Sequence, residues 1–135
     1  MSRTVQVTFD CADPNALAGF WNEALGYRYD SPPPGFGTWE EALDHFGVPE
    51  EDRNNASASV DPDGVGPRLW FQKVPEGKVV KNRLHLDFTP DDQQAEVARV
   101  IALGARHVDI GQGEQSWVVL ADPEGNEFCI LAARD

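Results

Sequence analysis

Thr4-Val-Gln-Val-Thr-Phe-Asp10 returns, altered in residue but not in pattern, as Arg83-Leu-His-Leu-Asp-Phe88. In the first stretch Val5, Val7 and Phe9 alternate with Gln6, Thr8 and Asp10. In the second, Leu84, Leu86 and Phe88 alternate with Arg83, His85 and Asp87. A period of two with one apolar and one polar set describes a strand with one packed and one polar face. The copies lie 79 residues apart, so Gln6 and His85 hold the same place in a repeat.

The segments after the two strands repeat as well. Asp13-Pro14 reads as a cap and first helical residue, with Leu17, Phe20, Trp21, Ala24 and Leu25 on one helix face and Gly26 at its end. Thr89-Pro90 reads as the second helix start, Val97, Ala98, Val100, Ile101 and Ala102 as its apolar side, and Gly104 as its end. Strands are then expected at 27–30, 56–60 and 68–74, and again at 106–110, 116–121 and 127–132. The turns Asp61-Pro-Asp-Gly64 and Asp122-Pro-Glu-Gly125 precede the last strand of each set. The turns are only 61 residues apart because the first half carries an insertion, residues 31–55. This begins Pro32-Pro33-Pro34-Gly35 and holds a short helix opened by a Thr38/Glu41 capping box, with Trp39, Leu43 and Phe46 as an apolar stripe.

The 135 residues carry 23 acidic against 11 basic side chains, a formal net charge of -12. Nucleic acid and anionic membrane are therefore unexpected partners, since phosphate contacts need clustered Lys and Arg. No run approaches the roughly 20 apolar residues of a membrane span. Met1-Ser-Arg-Thr4 leads straight into a strand, so no signal peptide is expected, and two cysteines make no disulfide scaffold. A cytoplasmic protein is the simplest expectation. The charge is uneven: Glu40 to Asp63 is strongly acidic, with Arg53 its lone cation, whereas Arg68 to Arg83 is basic. As a lid, the insertion would disfavour anionic ligands at its mouth, and the basic run could pair with it across a dimer.

The paired β-α-β-β-β units, closing with Asp122-Pro-Glu-Gly-Asn126 and the strand from Glu127 to Leu131, resemble the vicinal oxygen chelate superfamily. That superfamily holds glyoxalase I, extradiol dioxygenases, and fosfomycin- and bleomycin-resistance proteins. Phe71-Gln-Lys-Val-Pro75, Lys81-Asn-Arg-Leu-His-Leu-Asp87 and Asp122 to Cys129 resemble the bacterial glyoxalase-like domains within it. The resemblance implies one α+β domain. Two fused β-α-β-β-β modules, residues 1–77 and 78–135, would form curved mixed sheets around a central cleft, with the helices outside. Gln6, Thr8, Asp10, His85 and Asp87 would then face the cleft.

In metal-dependent members the ligands come from the first and last strands of each module. The matching positions here are Gln6, His85, Cys129 and either Trp70 or Gln72, the register after Gly64 being ambiguous. Only His85 and Cys129 are strong donors, so no metal or other cofactor is expected. If a divalent metal is present, Gln6, His85 and Cys129 would hold it. Cys129 also reads simply as a small buried residue. His85 and Asp87, at i and i+2, suit a general base with its orienting carboxylate, or a structural polar network. Trp39, Trp70 and Trp117 read either as pocket walls or as ordinary core, while Trp21 reads as core. The expected function is binding of a small organic molecule, at a site including Gln6, Thr8, Trp39, Trp70, Gln72, Trp117 and Cys129. The protein would be a homodimer, either a non-enzymatic binder or a metal-independent lyase or isomerase using His85. The alternative is a divalent-metal enzyme of the glyoxalase or dioxygenase type.

Overall fold

A computed structural model describes residues 2–111, 113 and 115–133. The chain forms two repeated α+β modules, Met1–Pro75 and Glu76–Asp135, each with a four-stranded mixed sheet. Module one runs β1 (Gln6–Cys11), α1 (Pro14–Leu25), β2 (Arg28–Tyr29), α2 (Trp39–His45), β3 (Ala56–Val60) and β4 (Arg68–Lys73). Module two runs β5 (Leu86–Phe88), α3 (Gln93–Leu103), β6 (Arg106–His107), β7 (Val118–Ala121) and β8 (Glu127–Ile130). The strand orders are β1-β4-β3-β2 and β5-β8-β7-β6, with only the β1/β4 and β5/β8 pairs parallel. No helix among the described residues is long and apolar enough to cross a membrane.

The core of module one follows from the alternation. Val7 and Phe9 share a face with Leu69 and Phe71. There Phe9 stacks on Phe71 at 5.0 Å and meets Trp21 of α1 at 5.5 Å. Leu17, Trp21, Leu69 and Phe71 are almost fully buried. Asp13 caps α1 by accepting from the Ala16 amide, and Gly26 ends it at φ 72°, a left-handed conformation open to glycine. Asn54 Nδ2 also donates to Asp13 at 2.8 Å, which ties the end of the insertion to the cap. In module two Phe88 stacks on Phe128 at 5.8 Å, and Val100, Leu120, Phe128 and Ile130 fill the core.

Four expectations are corrected. The second helix does not start at Thr89-Pro90. Asp92 caps it, accepting from the Ala95 amide at 3.1 Å, and Asp92 stands 79 residues from Asp13, in step with the repeat. The strand expected from Arg83 begins only at Leu86. Leu84 is 90% exposed because β8 starts at Glu127, leaving no strand residue opposite it. Val5 is likewise exposed: β4 begins at Arg68, and the preceding Pro67 has no amide to extend the ladder. The final strands are also shorter than expected, so Trp117 sits just before β7 rather than on it.

The pairing resolves the register after Gly64. Thr8 lies opposite Trp70, and its repeat partner Asp87 lies opposite Cys129, so Trp70 is the counterpart of Cys129. Two extra residues between Gly64 and β4 had obscured this.

Candidate functional site

In module one the polar face of the sheet is organised by Arg68. Its Nε and Nη2 donate to Asp30 Oδ2 at 3.1 and 2.9 Å, and Nη1 donates to Gln6 Oε1 at 2.8 Å. Its guanidinium also lies 5.3 Å from the centre of the Trp70 ring. The Gln6 oxygen, a metal donor in the sequence reading, is thus occupied by a guanidinium. Gln72 Nε2 donates to Asp10 Oδ1 at 2.9 Å beside them. Thr8 is exposed next to Trp70.

The insertion creates a cavity of about 600 Å3 within this module. Its apolar wall comes from Trp39 and Leu43 of the insertion, Trp70, Ala56 and Ala58 of the sheet, and Tyr29. Asn15, Asn55 and Ser57 add neutral polar groups, and Glu40, Asp52 and Arg53 add charge. Trp39 is held in place because its Nε1–H donates to the Asp30 carbonyl at 2.7 Å. Thr38 caps α2 by accepting from the Glu41 amide, but Glu41 returns its carboxylate to the Gly37 amide rather than to Thr38, so the capping box is only half formed. The stripe expected to bury the insertion is open: Trp39 is 41% exposed and Phe46 62%. Phe36, His45 and Phe46 instead cluster ring against ring at 5.3–5.7 Å. Gln6, Thr8 and Gln72 do not line the cavity.

In module two His85, Asp87 and Cys129 converge. His85 Nε2 lies 3.2 Å from Asp87 Oδ1, and one donor atom from each of the three residues falls within 4.8 Å of the others. The register explains this, since Asp87 and Cys129 are directly paired across β5 and β8. Cys129 is buried and its thiol is pushed up to about 11, mainly by burial and further by the Asp87 carboxylate. The neutral thiol is therefore the resting form at neutral pH when no cation is present. The trio offers one nitrogen, one oxygen and one sulfur donor, the number and kind that a three-ligand divalent site uses while leaving a position open. Spacing in the sequence marks Asp87 as a partner of His85, not as a donor. Its place among the donors appears once β5 and β8 are paired. Trp117, 36% exposed, belongs to neither this trio nor the module-one cavity.

Two residues before Cys129, β8 is fixed by Glu127, which accepts from Lys78 Nζ at 2.9 and 3.0 Å and from the Asn82 amide at 2.7 Å. Burial opposes ionisation of Glu127, but the Asn82 amide and Lys78 outweigh it and hold the carboxyl below its usual range.

The sequence matches the family model of the glyoxalase-like domain over residues 6–131. Comparison with curated proteins finds no match. Among solved structures, the chain is similar to a glyoxalase/bleomycin resistance protein/dioxygenase family enzyme from Burkholderia phytofirmans PsJN, at 18% identity and TM-score 0.61, over 96% of this chain and 97% of that one. It is also similar to the fosfomycin resistance protein FosX from Mesorhizobium loti, at 13% identity and TM-score 0.63, over 97% and 91%. A mutant FosX from Listeria monocytogenes, complexed with Mn(II) and 1S,2S-dihydroxypropylphosphonic acid, matches at 14% identity and TM-score 0.61, over 99% and 94%.

Proposed function

Because the chain belongs to the glyoxalase-like domain family, we propose that it is a small-molecule-binding protein whose organic ligand occupies the module-one cavity between Trp39 and Trp70. The cavity itself carries this reading. About 600 Å3 bounded by two indoles, a phenol and aliphatic side chains, with a few amides and hydroxyls, is the composition of a site for a flat, partly apolar molecule. Trp39 costs apolar exposure where it stands, and a ligand against it would remove that cost. In this reading the protein is a non-enzymatic binder, or a metal-independent lyase or isomerase in which His85 accepts a proton and Asp87 orients it. It is a single cytoplasmic domain and a homodimer. The exposed Val79, Val80 and Leu84 of module two support the dimer. A thermal-shift screen with organic small molecules tests the proposal. Binders should raise the melting temperature, and Trp39→Ala should abolish the shift. Hits that bind Trp39→Ala equally well would refute it.

A second reading rests on the convergence of His85, Asp87 and Cys129. With one nitrogen, one oxygen and one sulfur donor, these side chains would hold a divalent cation, which would act there as a Lewis acid. The relative from Listeria was complexed with Mn(II), but a set containing a thiolate suits zinc better than manganese. Elemental analysis separates the readings. Stoichiometric metal that is lost in Cys129→Ala supports the metal enzyme; substoichiometric metal, unchanged in that variant, removes it.

A further inference from the structure

We propose that the module-one cavity selects organic cations: a flat apolar group lodged between Trp39 and Trp70, with a protonated amine at the rim beside Asp52. This rests on the cavity being the ligand site. The balance of charge around the cavity favours a cation. Among the described residues, the two guanidiniums against its walls are already engaged. Arg53, the one cation lining it among the described residues, lies 2.6 Å from Asp44, donates twice to the Val48 carbonyl and is 3.8 Å from Glu40. Arg68, which stacks on Trp70, is held by Asp30 and Gln6.

The acids are not matched in the same way. The Glu40 side chain is 74% exposed, with only the long contact to Arg53 among the described residues. The Asp52 carboxylate makes no hydrogen bond among the described residues. An anion entering the cavity would lose water and find no free positive group, which is costly. A cation would meet Asp52 at the rim and aromatic faces inside, and Arg68 already shows that the Trp70 ring accepts a cation. Asn15, Asn55 and Ser57 can take hydrogen bonds from the N–H groups of an ammonium through their side-chain oxygens.

The test uses three probes matched in shape: 1-naphthylmethylamine, 1-naphthylmethanol and 1-naphthoate, titrated into the intact chain by calorimetry at pH 7. The amine should bind about tenfold more tightly than the naphthoate, with the alcohol between them. The ratio should shrink several-fold in Asp52→Asn and, for the unaltered chain, at high salt. Naphthoate binding as tightly as the amine, or a ratio that neither Asp52→Asn nor salt changes, overturns the proposal. If charge makes no difference but Trp39→Ala abolishes binding of the alcohol, the charge inference fails while the cavity reading stands. If none of the three binds, both fail.

Discussion

The two turns that precede β4 and β8 share a chemistry but differ in burial, and that difference can be measured. Asp122 is fully buried. Its Oδ1 accepts from the Glu124 and Asn126 amides at 2.9 and 3.0 Å, and its Oδ2 accepts from Asn126 Nδ2 at 3.0 Å. Asp61 accepts from the Asp63, Val65 and Gly66 amides at 2.9, 3.2 and 2.8 Å, but at a half-buried position. Asp122→Ala strands three donors where water enters poorly. At about 1–3 kcal/mol per buried unpaired donor, partly relieved by relaxation, the loss should be about 3 kcal/mol. Asp61→Ala leaves donors that water can reach, and should lose about 1 kcal/mol. For a chain of this size 1 kcal/mol moves the melting temperature by about 3–5 °C, so calorimetry should show drops of about 10–15 °C and about 3–5 °C. Because the Asp122 turn starts β8, its loss should also disturb the pairing of Asp87 with Cys129. Equal losses in the two variants, or a loss under about 1 kcal/mol for Asp122→Ala, would refute this account of the turns.

Ser59 is fully buried and its hydroxyl has no partner among the described residues, so Ser59→Ala should leave urea stability unchanged or raise it by up to about 1 kcal/mol; a loss above about 1 kcal/mol would mean the hydroxyl is bonded. Glu127 has its carboxyl lowered in the folded state, so its contribution is complete above the ordinary carboxylate range and is lost as the pH falls through the folded value. Urea midpoints should therefore fall less steeply below pH 5 in Glu127→Gln than in the unaltered chain, with Glu127→Gln the less stable of the two at pH 7. For Cys129 the sign is opposite. A thiol raised from 9.0 to about 11 stabilises the fold fully below pH 9 and progressively less as the pH climbs through 11. In chelator-treated protein, the stability difference between the unaltered chain and Cys129→Ala should shrink across that window; a constant difference contradicts the buried thiol.

Local chemistry made the architecture legible. The alternation in Val5 to Asp10, the Asp13-Pro14 start, the glycines ending both helices and the paired turns each need only neighbours in sequence. The start of α3 was harder to place, because Thr89-Pro90 and Asp92 both carry cap chemistry and only the hydrogen bond from Ala95 decides between them. The register after Gly64 depended on which residues pair across β1 and β4, and two extra turn residues shift it without altering the alternation. Arg68 was visible as a charge, but not as the hub joining Asp30, Gln6 and Trp70, since those residues are brought together by sheet pairing and a loop rather than by closeness in the chain. Asp87 joined the donor trio for the same reason: its partner Cys129 is adjacent in the sheet and distant in the chain. The Trp39 cavity comes from the insertion folding against β3 and β4, a tertiary event that a stripe of apolar residues announces without locating.

The chain has four tryptophans, and each gives an indole N–H signal that reports its own surroundings. Titrating the naphthyl probes into nitrogen-15-labelled protein and following those four signals tests the cavity most directly. Saturable shifts are expected for Trp39, whose N–H is bonded to Asp30, and for Trp70, while the buried Trp21 and the exposed Trp117, neither of which lines the cavity, stay unmoved. Saturable binding that shifts Trp117 while Trp39 and Trp70 stay still, or no saturable shift with any probe, would contradict a ligand site between Trp39 and Trp70.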